Sequence, residues 1–141
     1  MTTKFSQGII AGILGTAAMT MVMFLAPMMG MPKMNAAEML SMMTGTPVAT
    51  GWIMHFIIGI IFAMAYTFIF MDIVKRINNK VLKGLVFGLA VFVFAQIVMA
   101  IMGAMMGGMP PMEGSMVLML LGSILGHIIY GIVVVLVVKE T

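Results

Sequence analysis

Long apolar runs separated by short clusters of charge dominate the pattern of this chain. Lys, Arg, Asp and Glu are missing from four stretches, residues 5–32, 39–71, 84–112 and 114–138. A helix needs about 20 apolar residues to cross the hydrocarbon core of a bilayer, and each stretch has that length. Backbone groups in lipid must be hydrogen-bonded within their segment, which favours helices, and the alternation typical of a β-barrel is weak. The pattern predicts an all-α bundle of four transmembrane helices, at residues 8–29, 48–71, 84–106 and 116–138 of a single domain.

The placement of charge predicts the orientation of these spans. Of the 141 residues, 63% are hydrophobic and 8% are charged, against about 25% charged in soluble domains. Basic residues concentrate at the amino terminus, in the middle loop and at the carboxyl terminus: Lys4, Lys75, Arg76, Lys80, Lys83 and Lys139. Four spans place these regions on one side, which the positive-inside rule makes cytoplasmic. We therefore expect both termini to be cytoplasmic, in a protein integral to the bacterial inner membrane, with lipid rather than nucleic acid beside the basic loop.

The two halves of the chain carry the same landmarks in the same order. "GIIAG" opens the first span and "GLVFG" the third, and a Met-Met-Gly-(Gly)-Met-Pro phrase ends each of them. The second and fourth spans then carry a small residue, a histidine and a glycine at intervals of four, around His55 and His127. We predict two tandem two-helix repeats, residues 1–72 and 80–141, related by an axis along the membrane normal.

The first outer loop is long enough to contain a short helix. Asn35 followed by Glu38 resembles a capping box at its start. One face then carries Met39, Leu40, Met42 and Met43. We expect this helix to lie along the outer surface with its methionines toward lipid.

Small residues spaced four apart predict where the spans pack. Helices in a bilayer associate through close contact of small side chains. The candidates for helix packing are Gly8, Gly12, Gly84, Gly88, Gly103, Gly107, Gly122 and Gly126.

Both histidines of the chain fall within predicted spans, where ionisable residues are costly and indicate function. Other polar residues within the spans are Gln96, Thr20, Ser123 and Tyr130. Two histidines on repeated hairpins suit a metal ion or the two faces of haem b, with Gly59 and Gly131 leaving room for the macrocycle. Alternatively, each neutral imidazole bonds to a carbonyl, a hydroxyl or Gln96, or the histidines line a proton or small-solute pathway.

The chain also contains 22 methionines, many of them predicted to face outward. This outer cluster comprises Met28, Met29, Met31, Met34, Met105, Met106, Met109 and Met112. Thioethers select Cu(I), so the cluster is a candidate entry site above the histidines. Methionine is also an adaptable apolar filler, and the spans use it throughout.

Three functions are compatible with these residues. The first is a structural or accessory subunit of a respiratory or transport complex, docking onto other subunits or onto itself. The second is a haem b or Cu(I) binding protein using His55 and His127, and the third is a small transporter or channel. We expect no enzyme and name no catalytic residue, because the chain has no cysteine and the spans lack carboxylates for acid–base chemistry.

The run from "GIIAGILGTAAMTMVMFLAPMMGMP" to "GWIMHFIIGIIFAMAYTF" resembles a family of small, uncharacterised four-helix bacterial membrane proteins. The positions that carry the resemblance are Gly8, Gly12, Met19, Thr20, Trp52, His55, Phe56 and Gly59. It covers the first half of the chain well and the second loosely. The resemblance implies the four-helix fold and the membrane location, and it adds no mechanism.

Overall fold

A computed structural model of the chain describes residues 3–108 and 114–139, and these are organised as helices without strands. The four long helices are α1 (Lys4–Leu25), α3 (Val48–Ala65), α5 (Lys80–Met105) and α6 (Met116–Val137). A 3₁₀ turn (Ala26–Met29) extends α1, while a π-helical turn (Tyr66–Phe70) and the short α4 (Met71–Ile73) extend α3. The loop helix α2 spans Ala36–Thr44. The predicted all-α architecture with four helices able to span a membrane is confirmed.

The carboxyl-terminal ends of α1 and α5 stop where glycine allows the chain to turn. Gly30 closes the 3₁₀ turn after α1 with a φ of 82°. After α5, Gly107 and Gly108 have φ values of 85° and 132°, which residues with a Cβ rarely adopt. The repeated Gly-Met-Pro phrases therefore begin with helix-ending turns.

The helices form two antiparallel pairs, α1 with α3 and α5 with α6, and the pairs meet where α6 packs along α1. The Lys139 amide donates a hydrogen bond of 2.9 Å to the Gln7 side chain. The start of the first span and the end of the last span therefore lie together, on the same side of the bundle.

Each helix pair crosses at glycines that bring backbones into contact. A Cβ on Gly12 would lie 2.5 Å from the Ile60 Cα, and one on Gly84 would meet the Ile132 Cα. The second contact is the first one shifted by 72 positions along the chain, since Gly84 follows Gly12 and Ile132 follows Ile60 by that number. Gly12 rather than Gly8 therefore corresponds to Gly84, so the two Gly-x-x-x-Gly motifs are offset by one helical turn between the two halves.

One pair of equivalent positions makes the bundle asymmetric. Gly15 of α1 leaves room for α6, and a Cβ there would lie 2.9 Å from the Tyr130 ring. Phe87, 72 positions later, instead fills the space between α5 and the end of the second span, with ring centroids 4.9 Å from Tyr66 and 5.1 Å from Phe70. Helices α1 and α6 are therefore in close contact, whereas aromatic side chains bridge the gap between α5 and the second span.

Helix α2 packs against protein more than the sequence suggested. The Asn35 side chain caps it by accepting from the Glu38 amide at 3.1 Å, as predicted. However, Met43 is buried while Met42 is exposed, so the prediction that all these methionines face lipid was wrong. The cause is Gly51 of α3, which has no side chain to keep the α2 backbone away.

Candidate functional site

His55 is buried on α3, facing α1. Its Nε2 lies 3.2 Å from the Thr20 hydroxyl oxygen, within hydrogen-bond distance. This is the hydrogen bond that the His55 side chain makes among the described residues. Trp52, one turn earlier, meets the imidazole edge-on at a centroid distance of 6.1 Å and also stacks on Phe24 at 6.1 Å. One hydrogen bond and a group of aromatic rings therefore fix the imidazole.

A small crevice opens beside His55, between the carboxyl-terminal part of α1, the amino-terminal part of α3 and the start of α2. Its chemically distinctive lining residues are Thr20, Met23, Met34, Asn35, Trp52 and His55. The crevice has room for roughly one water molecule. Met23 and Asn35 were not predicted as site residues, although the spacing of three between Thr20 and Met23 places them on one helix face.

His127 lies in a different environment on α6. Its Nδ1 is 2.7 Å from the Ser123 carbonyl oxygen. Since a carbonyl accepts hydrogen bonds, Nδ1 carries the hydrogen in this contact. The ring meets Phe92 of α5 edge-on, with centroids 5.6 Å apart. Phe92 follows Thr20 by 72 positions, as His127 follows His55, so the equivalent position offers a hydroxyl in one hairpin and a phenyl ring in the other.

The residues around the histidines do not fit a haem. Each imidazole packs against the first helix of its own hairpin. The space expected beside Gly59 is occupied by the Thr16 hydroxyl, and that beside Gly131 by the backbone of α5. The Tyr130 hydroxyl also donates to the Gly59 carbonyl at 2.5 Å, joining α6 to α3. Within residues 3–108 and 114–139, no group of three or more His, Cys, Asp or Glu side chains is placed to hold a metal ion.

Gln96 faces outward from the middle of α5. Its side chain is exposed, as are those of its helix neighbours Val93 and Ile97. The alternative in which a histidine bonds to Gln96 is therefore not the one that the described residues adopt. The histidines instead use the other two partners considered, a hydroxyl for His55 and a carbonyl for His127. Hydropathy placed Gln96 in a span correctly, but it could not determine the rotation of that helix.

The predicted outer methionines separate into two groups. Those at the helix ends are exposed: Met28, Met29, Met105 and Met106. Met31 and Met34 instead fold back toward α6, where a Cβ on Gly122 would meet the Met34 methyl group and lie 3.6 Å from the Met31 sulfur. Met109 and Met112 lie outside the described residues. The described outer methionines therefore do not converge on one place.

The predicted packing glycines also have different roles. Gly8, Gly12, Gly84 and Gly88 lie at helix crossings, as expected. Gly126 contacts the Met19 and Met23 side chains rather than a backbone, and Gly103 is buried near the end of α5. Gly107 lies in the turn beyond α5, where a Cβ would have no heavy atom of the described residues within 4 Å, so its assignment to helix packing was wrong.

Four apolar helices arranged as two joined hairpins define the chain as a polytopic α-helical membrane protein. Residues 2–141 match the family model of DUF6789, a family of unknown function, and the chain therefore belongs to that family. The resemblance to an uncharacterised family is confirmed. No curated protein and no solved structure matches the chain.

Proposed function

We propose that the protein is a non-enzymatic subunit of the bacterial inner membrane that acts by lateral association through the Gln96 face of α5. The observation behind this proposal is the exposed amide of Gln96 in the middle of an apolar helix. A polar group in hydrocarbon costs several kcal/mol, on the order of 2–7, unless it is hydrogen-bonded. A partner that supplies that hydrogen bond stabilises the span.

The partner we propose is a second copy of the chain. A primary amide both donates and accepts hydrogen bonds, so two glutamines are complementary to one another. A two-fold axis along the membrane normal places both Gln96 side chains at the same depth. Helix α5 is also the span least covered by the rest of the described protein. In its apolar 18-residue stretch, 17% of the residues are buried, against 39% in that of the first span.

This arrangement favours a structural or accessory role in a larger membrane assembly over a transport role. A transport pathway would depend on polar residues that face the interior of the bundle, and the Gln96 side chain faces away from that interior. The loops are short beside the spans, which leaves little material for a separate soluble activity. A respiratory or transport complex is the proposed setting.

Single-cysteine cross-linking tests the proposal directly, since the native chain contains no cysteine. Val93→Cys and Ala100→Cys flank Gln96 on the same face, and Ile57→Cys is an exposed control on α3. In native membranes, a bis-maleimide is expected to link two copies at positions 93 and 100 but not at 57.

The contribution of the amide itself is measured with Gln96→Leu. This change is expected to weaken dimerisation by about 1–2 kcal/mol in a dilution series followed by fluorescence transfer. Cross-links to a different protein, equal cross-linking at position 57, or an unchanged affinity of Gln96→Leu would each contradict self-association through this face.

A further inference from the structure

The crevice beside His55 brings together one imidazole and two thioethers. Met23 comes from α1, Met34 from the loop before α2, and His55 from α3. The two methionines are held from behind by the glycine face of α6. The Met23 methyl lies 3.7 Å from where a Cβ on Gly126 would be, and the Met34 methyl occupies the place that a Cβ on Gly122 would take. Three separate segments therefore contribute residues with soft or borderline donor atoms to the lining of one small space.

The charge of these donor side chains determines which class of cation the crevice can bind. Among the described residues, no carboxylate, lysine or arginine lines the crevice, so the donors are neutral thioethers and a neutral imidazole. Calcium and magnesium require oxygen ligands, usually carboxylates, and structural zinc sites use thiolate, imidazole and carboxylate. Thioether and imidazole together suit Cu(I), whose single charge also costs less to bury among neutral ligands than a double charge does.

The hydrogen bond to Thr20 prepares His55 for this role. Histidines that bind metals donate their second ring N–H to a nearby acceptor, which fixes the tautomer and the ring orientation. In the tautomer that carries its hydrogen on Nε2, the Thr20 hydroxyl oxygen at 3.2 Å is such an acceptor. Nδ1 has no hydrogen-bond partner among the described residues and carries the lone pair in that tautomer.

We infer that this crevice binds a soft monovalent cation of the Cu(I) class through His55, Met23 and Met34, with Thr20 as a positioning residue. The second hairpin lacks the same set. Phe92 stands at the position equivalent to Thr20, Ala95 at that equivalent to Met23, and Nδ1 of His127 is bonded to its own helix. The inference is independent of the proposed self-association, since Gln96 lies on another helix.

Anaerobic titration of the purified protein in nanodiscs with Cu(I), against a coloured Cu(I) chelator, tests the site. About one ion per chain is expected to compete with the chelator. Met34→Leu, Met23→Leu and His55→Gln are each expected to weaken binding at least about tenfold. The matched controls His127→Gln and Met99→Leu, also within spans, are expected to bind as the native protein does.

Ag(I), which is redox-inert, provides a second readout in the native protein. With ¹³C-methyl methionine, it is expected to shift the Met23 and Met34 signals and leave Met28 and Met29 unchanged. Thr20→Val is expected to weaken binding and Thr20→Ser to restore it. Binding that survives in the correctly folded Met23→Leu/Met34→Leu variant, or that follows Met28 and Met29 instead, would overturn the inference, as would the absence of stoichiometric binding.

Discussion

Replacing Gly131 with alanine tests the contact between the two helices of the second hairpin. The new Cβ would lie 2.5 Å from the Gly88 nitrogen and 2.7 Å from its Cα, and would also meet the Gly84 carbonyl. These are backbone atoms, which cannot rotate away. Because carbon atoms pack at about 3.5–4.0 Å, α5 and α6 must separate by about 1 Å to accept the methyl group.

The cost of that separation follows from the packing along the crossing. A gap of about 0.5–1 Å removes a quarter to a half of the dispersion attraction between facing atoms. Overpacking in protein cores costs about 1–3 kcal/mol, and the upper part of that range applies where backbone lies in the way. We expect Gly131→Ala to lose about 2–3 kcal/mol of unfolding free energy, which is about 30- to 150-fold in the folding equilibrium.

Gly126→Ala on the same helix is the matched control. Its Cβ would lie 3.4 Å from the Met19 Cγ, a contact that a flexible side chain accommodates. Both variants gain the same helix propensity from alanine, about 1 kcal/mol in water, so their difference isolates the packing cost. Reversible unfolding by steric trapping in bicelles measures both. A difference below about 0.5 kcal/mol would refute the crossing geometry.

Three further predictions concern other contacts. Gly59→Ala is expected to destabilise the first hairpin, and Thr16→Ala in the same chain to restore most of the loss, because the Thr16 hydroxyl occupies the place of the new methyl; a double-mutant cycle without coupling would contradict this. Tyr130→Phe is expected to cost about 0.5–1.5 kcal/mol in the same unfolding assay, since it removes the bond to the Gly59 carbonyl, and no loss would mean that the bond is not made in the membrane. Finally, a membrane-impermeant maleimide is expected to label Lys33→Cys on intact spheroplasts and Asn78→Cys only after permeabilisation, and the reverse pattern would invert the orientation.

The number of spans could be predicted from the sequence because apolar runs and turn residues mark them directly, but α1 and α5 begin at Lys4 and Lys80, four residues before the predicted starts at 8 and 84. The α1 extension ends at Gly30 and α5 begins at the Asn79 cap, both of which are local signals. The alignment of the two halves could not be settled in the same way. Glycines at intervals of four match equally well after a slide of one turn, and the contacts of Gly12 and Gly84 were needed to choose the register.

The candidate site was predicted in part. His55 was singled out because a histidine is unusual within a span, and Thr20 was noted as a polar residue of the first span. The rotation of each helix could not be read, since spans that are apolar on every side give no inward face. For that reason the outward rotation of Gln96 could not be predicted, and the approach of Met34 to the same crevice depends on a loop that folds back toward α6.

The position of α6 beside α1 has a consequence for how the protein is made. Chains fold from the amino terminus as they leave the ribosome, so the first hairpin can close through Gly12 and Gly59 before α6 exists. During that interval the face of α1 at Gly15 is not covered by α6, and the Gly59 carbonyl lacks the hydrogen bond from the Tyr130 hydroxyl. A chain cut short before Met116 would therefore leave the Gly15 face of α1 uncovered by protein.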